Sequence, residues 1–344
     1  MLTKQQDLAA ICAITLPKDQ YAHEGAQNEW WWHVGTLKSS DGRKFGFEIN
    51  AAGKSSYAFT QIEITDVQNQ CNYQKVNPII ARPSNWAQYN IAEPWYVQLS
   101  GPAANLTNGA ILMQSIDGNP LNMGVKASFI DVASNVSCQL NLSLYQQGSP
   151  LLVWGTGCKL VNSGGTSPLT KNNYYYSLTH LRATGSITIG DEVVHVTGLT
   201  WMDHEYGAFP DNSTWTLQDI QLSNGMHLSN FTNVGDVPKE NIPMISNATI
   251  LFQNGKSIYV KTVTTPMEPI FTSNKEITYY LKFKVEINSS ELTATFIVNS
   301  LYPDQLFKDE AGPDVYEGVA ECHARFGSSD EIVFGTAWIE QNLG

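Results

Sequence analysis

Charge is scarce in this sequence, and positive charge is scarcest. Lys and Arg total 20 against 32 Asp and Glu, so the formal net charge is −12 and only 15% of residues are charged. A nucleic-acid binder needs a cationic footprint to release phosphate counterions, so no nucleic-acid partner is expected. No apolar run is long enough to span a membrane. The stretch from Leu8 to Leu16 is apolar but short, with Lys4 as its only preceding cation, and makes a poor signal peptide. A cytoplasmic location is therefore expected. Seven Asn-x-Ser/Thr sequons (at Asn105, Asn135, Asn141, Asn212, Asn230, Asn247 and Asn288) hint only weakly at secretion in a chain this rich in Asn, Ser and Thr.

The five cysteines (Cys12, Cys71, Cys138, Cys158 and Cys322) contain no C-x-x-C pair, which argues against a zinc knuckle and a dense disulfide framework. Buried, reduced thiols are the expectation, with Cys138–Cys158 the one pair to consider if a disulfide forms. Also absent are a G-x-S-x-G elbow, a G-x-G-x-x-G after a strand, a P-loop and H-E-x-x-H. Asp203, His204 and Glu205 are adjacent and would alternate faces in a strand, so they are no ready chelate; neither a metal nor a cofactor is expected.

What the chain does have is apolar and aromatic residues, 42% and 11% of the total, and a dominant period of two. Ser56 to Thr65, Leu121 to Ile130, Gln139 to Tyr145, Thr278 to Val285 and Glu291 to Val298 alternate as half-buried strands do. Asp41-Gly42, Asn108-Gly109, Asp117-Gly118, Asn224-Gly225 and Asn254-Gly255 read as hairpin turns, because these residues take left-handed conformations. Helical periodicity is confined to two weak candidates, Lys4 to Ile14 and Asn85 to Ala92. The pattern predicts an all-β chain of two antiparallel barrel or sandwich domains, 1–207 and 208–344, divided where Ala208 to Ser213 reads as loop.

Four constellations carry possible chemistry. The strand Val193 to Asp203 runs into Trp201-Met-Asp203-His204-Glu205-Tyr-Gly207, and pleating puts Trp201, Asp203 and Glu205 on one face with His204 on the other. A carboxyl buried beside a Trp stays protonated near neutral pH and can act as an acid. The structural alternative has Asp203 and Glu205 capping turns or pairing with Arg182 or Arg325, and His204 as a satisfied core histidine. In Glu29-Trp30-Trp31-Trp32 the three indoles alternate faces, so they cannot share one core. Tyr174-Tyr175-Tyr176-Ser177 offers hydroxyls to a pocket or wet tips to a strand edge. Tyr316-Glu317-Gly318 with Glu321, His323 and Arg325 reads as a charged, self-paired sheet face.

In this order, the four resemble the lipocalin-like family that contains bacterial carotenoid 1,2-hydratases, AttH-like proteins and related fungal hydratases and Diels–Alderases. The matching blocks are Glu29-Trp-Trp-Trp32 with Gly35 and Phe45-Gly-Phe47; Tyr175-Tyr-Ser177 with Gly198-Leu-Thr-Trp-Met-Asp-His-Glu-Tyr-Gly207; and Tyr302-Pro303, Tyr316-Glu-Gly318 and Gly335 to Glu340. The resemblance implies two lipocalin-like domains and a site, at or between them, for a hydrophobic small molecule such as a polyene, isoprenoid or polyketide of secondary metabolism. It implies an enzyme without cofactor, with Asp203, Glu205 and His204 as catalytic candidates and Glu29, Trp31, Tyr175, Trp201, Trp215 and Glu317 as substrate-binding ones. Hydration, or cyclisation started by protonation, is the first expectation; a pericyclase that folds a linear polyene and a non-enzymatic carrier are the alternatives. Trp32 stands where the family has Tyr, and Thr214 precedes Trp215 where it usually has Asp; both departures weaken a simple carotenoid-hydratase assignment.

Overall fold

The structure is a computed structural model that describes residues 13–100, 106–131, 133–209, 214–235, 237–271, 277–307 and 315–343. The chain divides into two compact units, Met1–Pro210 and Asp211–Gly344. Both are built of antiparallel strands, as the period of two predicts.

The first unit holds β1 (Asn28–Ser39), β2 (Lys44–Gly53), β3 (Ala58–Asp66), β4 (Cys71–Ile79), β5 (Tyr96–Ser100), β6 (Leu106–Ser115), β7 (Asn122–Ile130), β8 (Ser137–Gln146), the short β9 (Leu151–Leu152) and β10 (Cys158–Leu160), β11 (Asn172–Ile189) and β12 (Glu192–Gly207). They form one curled sheet in the order β4-β3-β2-β1-β12-β11-β8-β7-β6-β5, with β9 and β10 also paired to β11. Alternate residues such as Phe45, Phe47, Ile49 and Ala51 turn into one apolar core with Trp31, Trp86, Trp95, Leu142, Tyr176 and Met202. The long β12 lies between β1 and β11, so its closing motif sits mid-sheet, braced on both sides.

The second unit holds β13 (Thr214–Leu222), β14 (His227–Val234), β15 (Met244–Leu251), β16 (Ser257–Phe271), β17 (Ile277–Asn288), β18 (Thr293–Ser300), the short β19 (Leu306–Phe307), β20 (Val315–Phe326) and β21 (Val333–Asn342). Eight of them close into a barrel, because β18 pairs with β20 at the end of the order β18-β17-β16-β15-β14-β13-β21-β20. Closure removes the free edges that invite aggregation. The apolar interior includes Ile220, Leu228, Phe283, Phe296 and Ile339.

Three local expectations need correction. Asn85 to Ala92 is not helical. Trp86 and Ala87 are buried in the core, and the backbone instead bonds to the neighbouring strand through Gln88 N to Tyr96 O and Gln98 N to Trp86 O. Asn108-Gly109 is not a turn but part of β6, where the Asn108 side chain both donates to and accepts from the Ile130 backbone. Cys138 is free and buried in the core, so it does not pair with Cys158, which is itself disulfide-bonded. Cys12, the proposed helix up to that residue, and the sequons at Asn105 and Asn212 lie outside the described residues. Among the described residues no helix is long and apolar enough to cross a membrane.

Candidate active site

Register fixes which motif residues meet. Across β1 and β12, Trp32 opposes Asp203, Trp31 opposes His204 and Trp30 opposes Glu205. Across β11 and β12, Ser177 opposes Asp203, Tyr176 opposes His204 and Tyr175 opposes Glu205. Strand alternation then sorts the candidates onto two faces of the sheet.

On the face turned away from the core, Asp203 is 1% exposed. Its Oδ1 accepts from Ser177 Oγ (2.5 Å) and Trp201 Nε1 (2.7 Å), and its Oδ2 accepts from the Tyr175 hydroxyl (2.9 Å). Burial pushes the Asp203 carboxyl up to about 6, although all three donors favour the ionised form. Glu205 has one side-chain donor, Asn173 Nδ2 at 2.6 Å. Burial pushes it up to about 8; the Asn173 hydrogen bond and the Lys54 charge oppose this, and the Asp203 charge adds to it. Lys54 stands over the Trp30 ring (5.0 Å) and the Phe209 ring (5.7 Å), which stack on each other, and burial lowers its own pKa. Trp154 meets Tyr175 edge-on. The occluded Trp32 Nε1, Asn50 Oδ1 and Asn173 Oδ1 on this face lack a hydrogen-bond partner among the described residues.

The core-side face carries a second cluster. Glu29 lies at the start of β1, and its Oε1 is 2.8 Å from His23 Nδ1 and 3.0 Å from His204 Nε2. The His23 backbone N–H donates to the same carboxylate. His23 stacks on Tyr206, and His204 stacks on Trp31 at 4.3 Å. Burial would lower His23, but its bonds to Asp19 and Glu29 outweigh that and raise it to about 9. Burial would raise Glu29, but His204 and His23 hold it below the usual carboxylate range. His204 is lowered by burial, only partly offset by Glu29.

The structure thus brings Asp203, Glu205, Tyr175 and Trp201 together and sets Glu29, Trp31 and His204 on the opposite face. Trp31, expected among the substrate-binding residues, is instead a fully buried core residue. The carboxyls find neither Arg182, which donates to Gln147, nor any turn to cap. Trp215 and Glu317 belong to the second unit, where Trp215 donates to Glu340 and Trp338 donates to Glu317. Sequence reasoning missed His23, Lys54 and Asn173, and named Ser177 only as the end of the tyrosine run. Ser177 and Asn173 were reachable, being two steps from Tyr175 on the same strand face. His23 and Lys54 were not, since they reach the site from outside the strands that carry the motif.

An AttH-like family model matches residues 8–341. No curated protein sequence matches the chain. Among solved structures it is similar to an AttH protein from Nitrosomonas europaea, with a TM-score of 0.72, 17% identity and 96% of each chain covered. It is also similar to kievitone hydratase from Nectria haematococca, with a TM-score of 0.72, 16% identity, 97% of this chain and 94% of that one covered. A more distant likeness is CghA with Sch210972, with a TM-score of 0.52, 10% identity and 92% and 88% covered. At these identities the likenesses establish the fold.

Proposed function

The chain belongs to the AttH-like family, and from that premise we propose that it is an acid–base enzyme that protonates an alkene of a hydrophobic, oxygen-bearing small molecule. The observation that carries this reading is the Asp203–Glu205 pair: two carboxyls on one strand face, both raised by burial, one to about 6 and the other to about 8. When environments push two acids apart in this way, the higher one holds the proton at neutral pH and the lower one holds the charge. Glu205 is therefore the proton donor, and Asp203, fixed by three hydrogen bonds, is the charge that faces the developing cation. The rings of Trp30, Trp154 and Tyr175 add cation–π stabilisation of about 0.5–2 kcal/mol each. Water then adds to the cation and returns a proton to Glu205, so the net reaction is hydration; attack by an internal alkene instead closes a ring and leaves a new cation, which loses a proton from the neighbouring carbon to Glu205, so the net reaction is isomerisation. The unpaired Trp32 Nε1 supplies a donor for a substrate oxygen, and leaving it unmatched costs about 1–3 kcal/mol. That a solved neighbour is by name a hydratase supports the same chemistry.

The test incubates candidate isoprenoids, polyenes and prenylated phenols with the protein in deuterium oxide and reads the product by mass spectrometry. One solvent deuterium on carbon is expected. Glu205→Gln and Asp203→Asn should each lower the rate by about 100-fold or more with an unchanged melting temperature. Turnover without deuterium, undiminished in both variants, would replace this reading with a pericyclic cyclase that works by folding its substrate. Tight binding with every compound recovered unchanged would make the protein a carrier.

A further inference from the structure

The core-side cluster poses a problem of proton accounting. The Tyr176 hydroxyl has one proton and three neighbours: the Asp19 carbonyl at 3.3 Å, the Gln20 side-chain carbonyl, and His204 Nδ1 at 3.1 Å. The Gln20 amide is oriented by its Nε2, which contacts the Met202 and Met123 sulfurs at 3.5 and 4.0 Å, so its oxygen is the atom that faces Tyr176. Both carbonyls can only accept, and they take the hydroxyl proton. His204 Nδ1 must then be the N–H that donates to Tyr176. In a neutral imidazole that leaves Nε2 as a lone pair, aimed at the Glu29 carboxylate oxygen 3.0 Å away. That contact calls for a positive charge between the two atoms, either a second ring proton or a bound cation in its place.

The geometry points to a divalent transition-metal site formed by His23 Nδ1, Glu29 Oε1 and His204 Nε2. The three donor atoms lie within 4.8 Å of one another. A tetrahedral ion about 2.1 Å from each donor holds them about 3.4 Å apart. The two contacts to Glu29, at 2.8 and 3.0 Å, are shorter than that spacing, so both imidazoles must draw back from the carboxylate to admit the ion. The far nitrogen of one ring is hydrogen-bonded, His204 Nδ1 with Tyr176, as metal-bound histidines require, and His23 Nε2 faces the Asp19 carboxylate at an ion-pair distance of 3.7 Å. Two imidazoles disfavour magnesium and calcium and favour zinc or a neighbouring first-row ion. Three protein ligands leave a fourth position for water or another ligand. This site is on the opposite face from Asp203 and Glu205 and does not depend on the reading given to them.

The experiment uses the full chain, tag removed, stripped with chelator and titrated with zinc by calorimetry while its melting temperature is followed. One zinc per chain and a rise in melting temperature are expected. His23→Ala and Glu29→Gln should weaken zinc binding by about 100-fold or more, whereas His323→Ala, in the second unit, should leave it unchanged. Cobalt in place of zinc should give the visible absorption of a four-coordinate site, lost in the same two variants. The proposal is overturned if the stripped wild-type protein neither binds zinc nor melts higher with it, or if both variants, folded by circular dichroism, bind zinc as wild type does. Should neither variant fold, the wild-type titration and the cobalt spectrum decide alone.

Discussion

At the residue scale the site is governed by which group lacks donors. Asp203 and Glu205 are two positions apart on one strand face, yet Asp203 receives three hydrogen bonds from side chains and Glu205 one. On the reading proposed above, this difference is what assigns the proton to Glu205 and the charge to Asp203. Alternation was legible in the sequence: the separation of Asp203 and Glu205 from His204 follows from a pleat of two residues. The donor count was not, because Ser177 and Asn173 come from a strand whose register only pairing defines. The Lys54 charge restrains the rise of Glu205. Lys54→Met should therefore move the Glu205 pKa further up, read as an upfield-to-downfield carboxyl titration shifted to higher pH by carbon NMR. A titration at unchanged or lower pH would mean that Lys54 does not act on this carboxyl.

At the element scale the site depends on the close fit of β12 between β1 and β11. A Cβ at Gly198 would stand 2.3 Å from the Thr36 carbonyl oxygen, a backbone atom that cannot rotate away. At Gly35 it would meet the Thr200 side chain at 2.8 Å. These glycines let β1 and β12 approach, which holds Trp32 opposite Asp203. Gly198→Ala should destabilise the first unit by about 1–3 kcal/mol, the range of overpacked interiors, measured as a lowered denaturation midpoint. An unchanged midpoint would show that the strands yield. Strand identity was readable from alternation, but the glycine at 109 was not a turn, since a hairpin needs partner strands on both sides and β6 instead runs straight through. Asn85 to Ala92 was misread for a related reason: its apolar spacing comes from anchoring Trp86 and Ala87 in the core while its backbone bonds to a neighbouring strand, and no single-strand pattern reveals that.

At the scale of the whole molecule, each unit buries its own core, and the chemistry proposed here draws on the first. The all-β architecture was legible because nearly every strand announces a buried and an open face. How many strands close into a barrel was not, since the β18–β20 pairing joins segments with no shared pattern. The buried acids also make stability depend on pH. Asp203 and Glu205 have folded pKa values of about 6 and 8, above ordinary values of 3.8 and 4.5. The folded state thus binds more protons than the unfolded chain between those limits, and stability falls as pH rises through them. The stabilisation is complete below about pH 4 and gone above about pH 8, the opposite of a salt-bridged carboxylate. Buried His33, held down to about 3, opposes this below about pH 6.5, so the melting temperature of the first unit should decline from about pH 6.5 to pH 8, and Glu205→Gln, which removes the titrating group and keeps its shape, should make that decline shallower. A variant whose melting temperature falls as steeply as wild type across pH 6 to 8 would show that Glu205 ionises without cost, and with it the case for a neutral proton donor on this strand would fail.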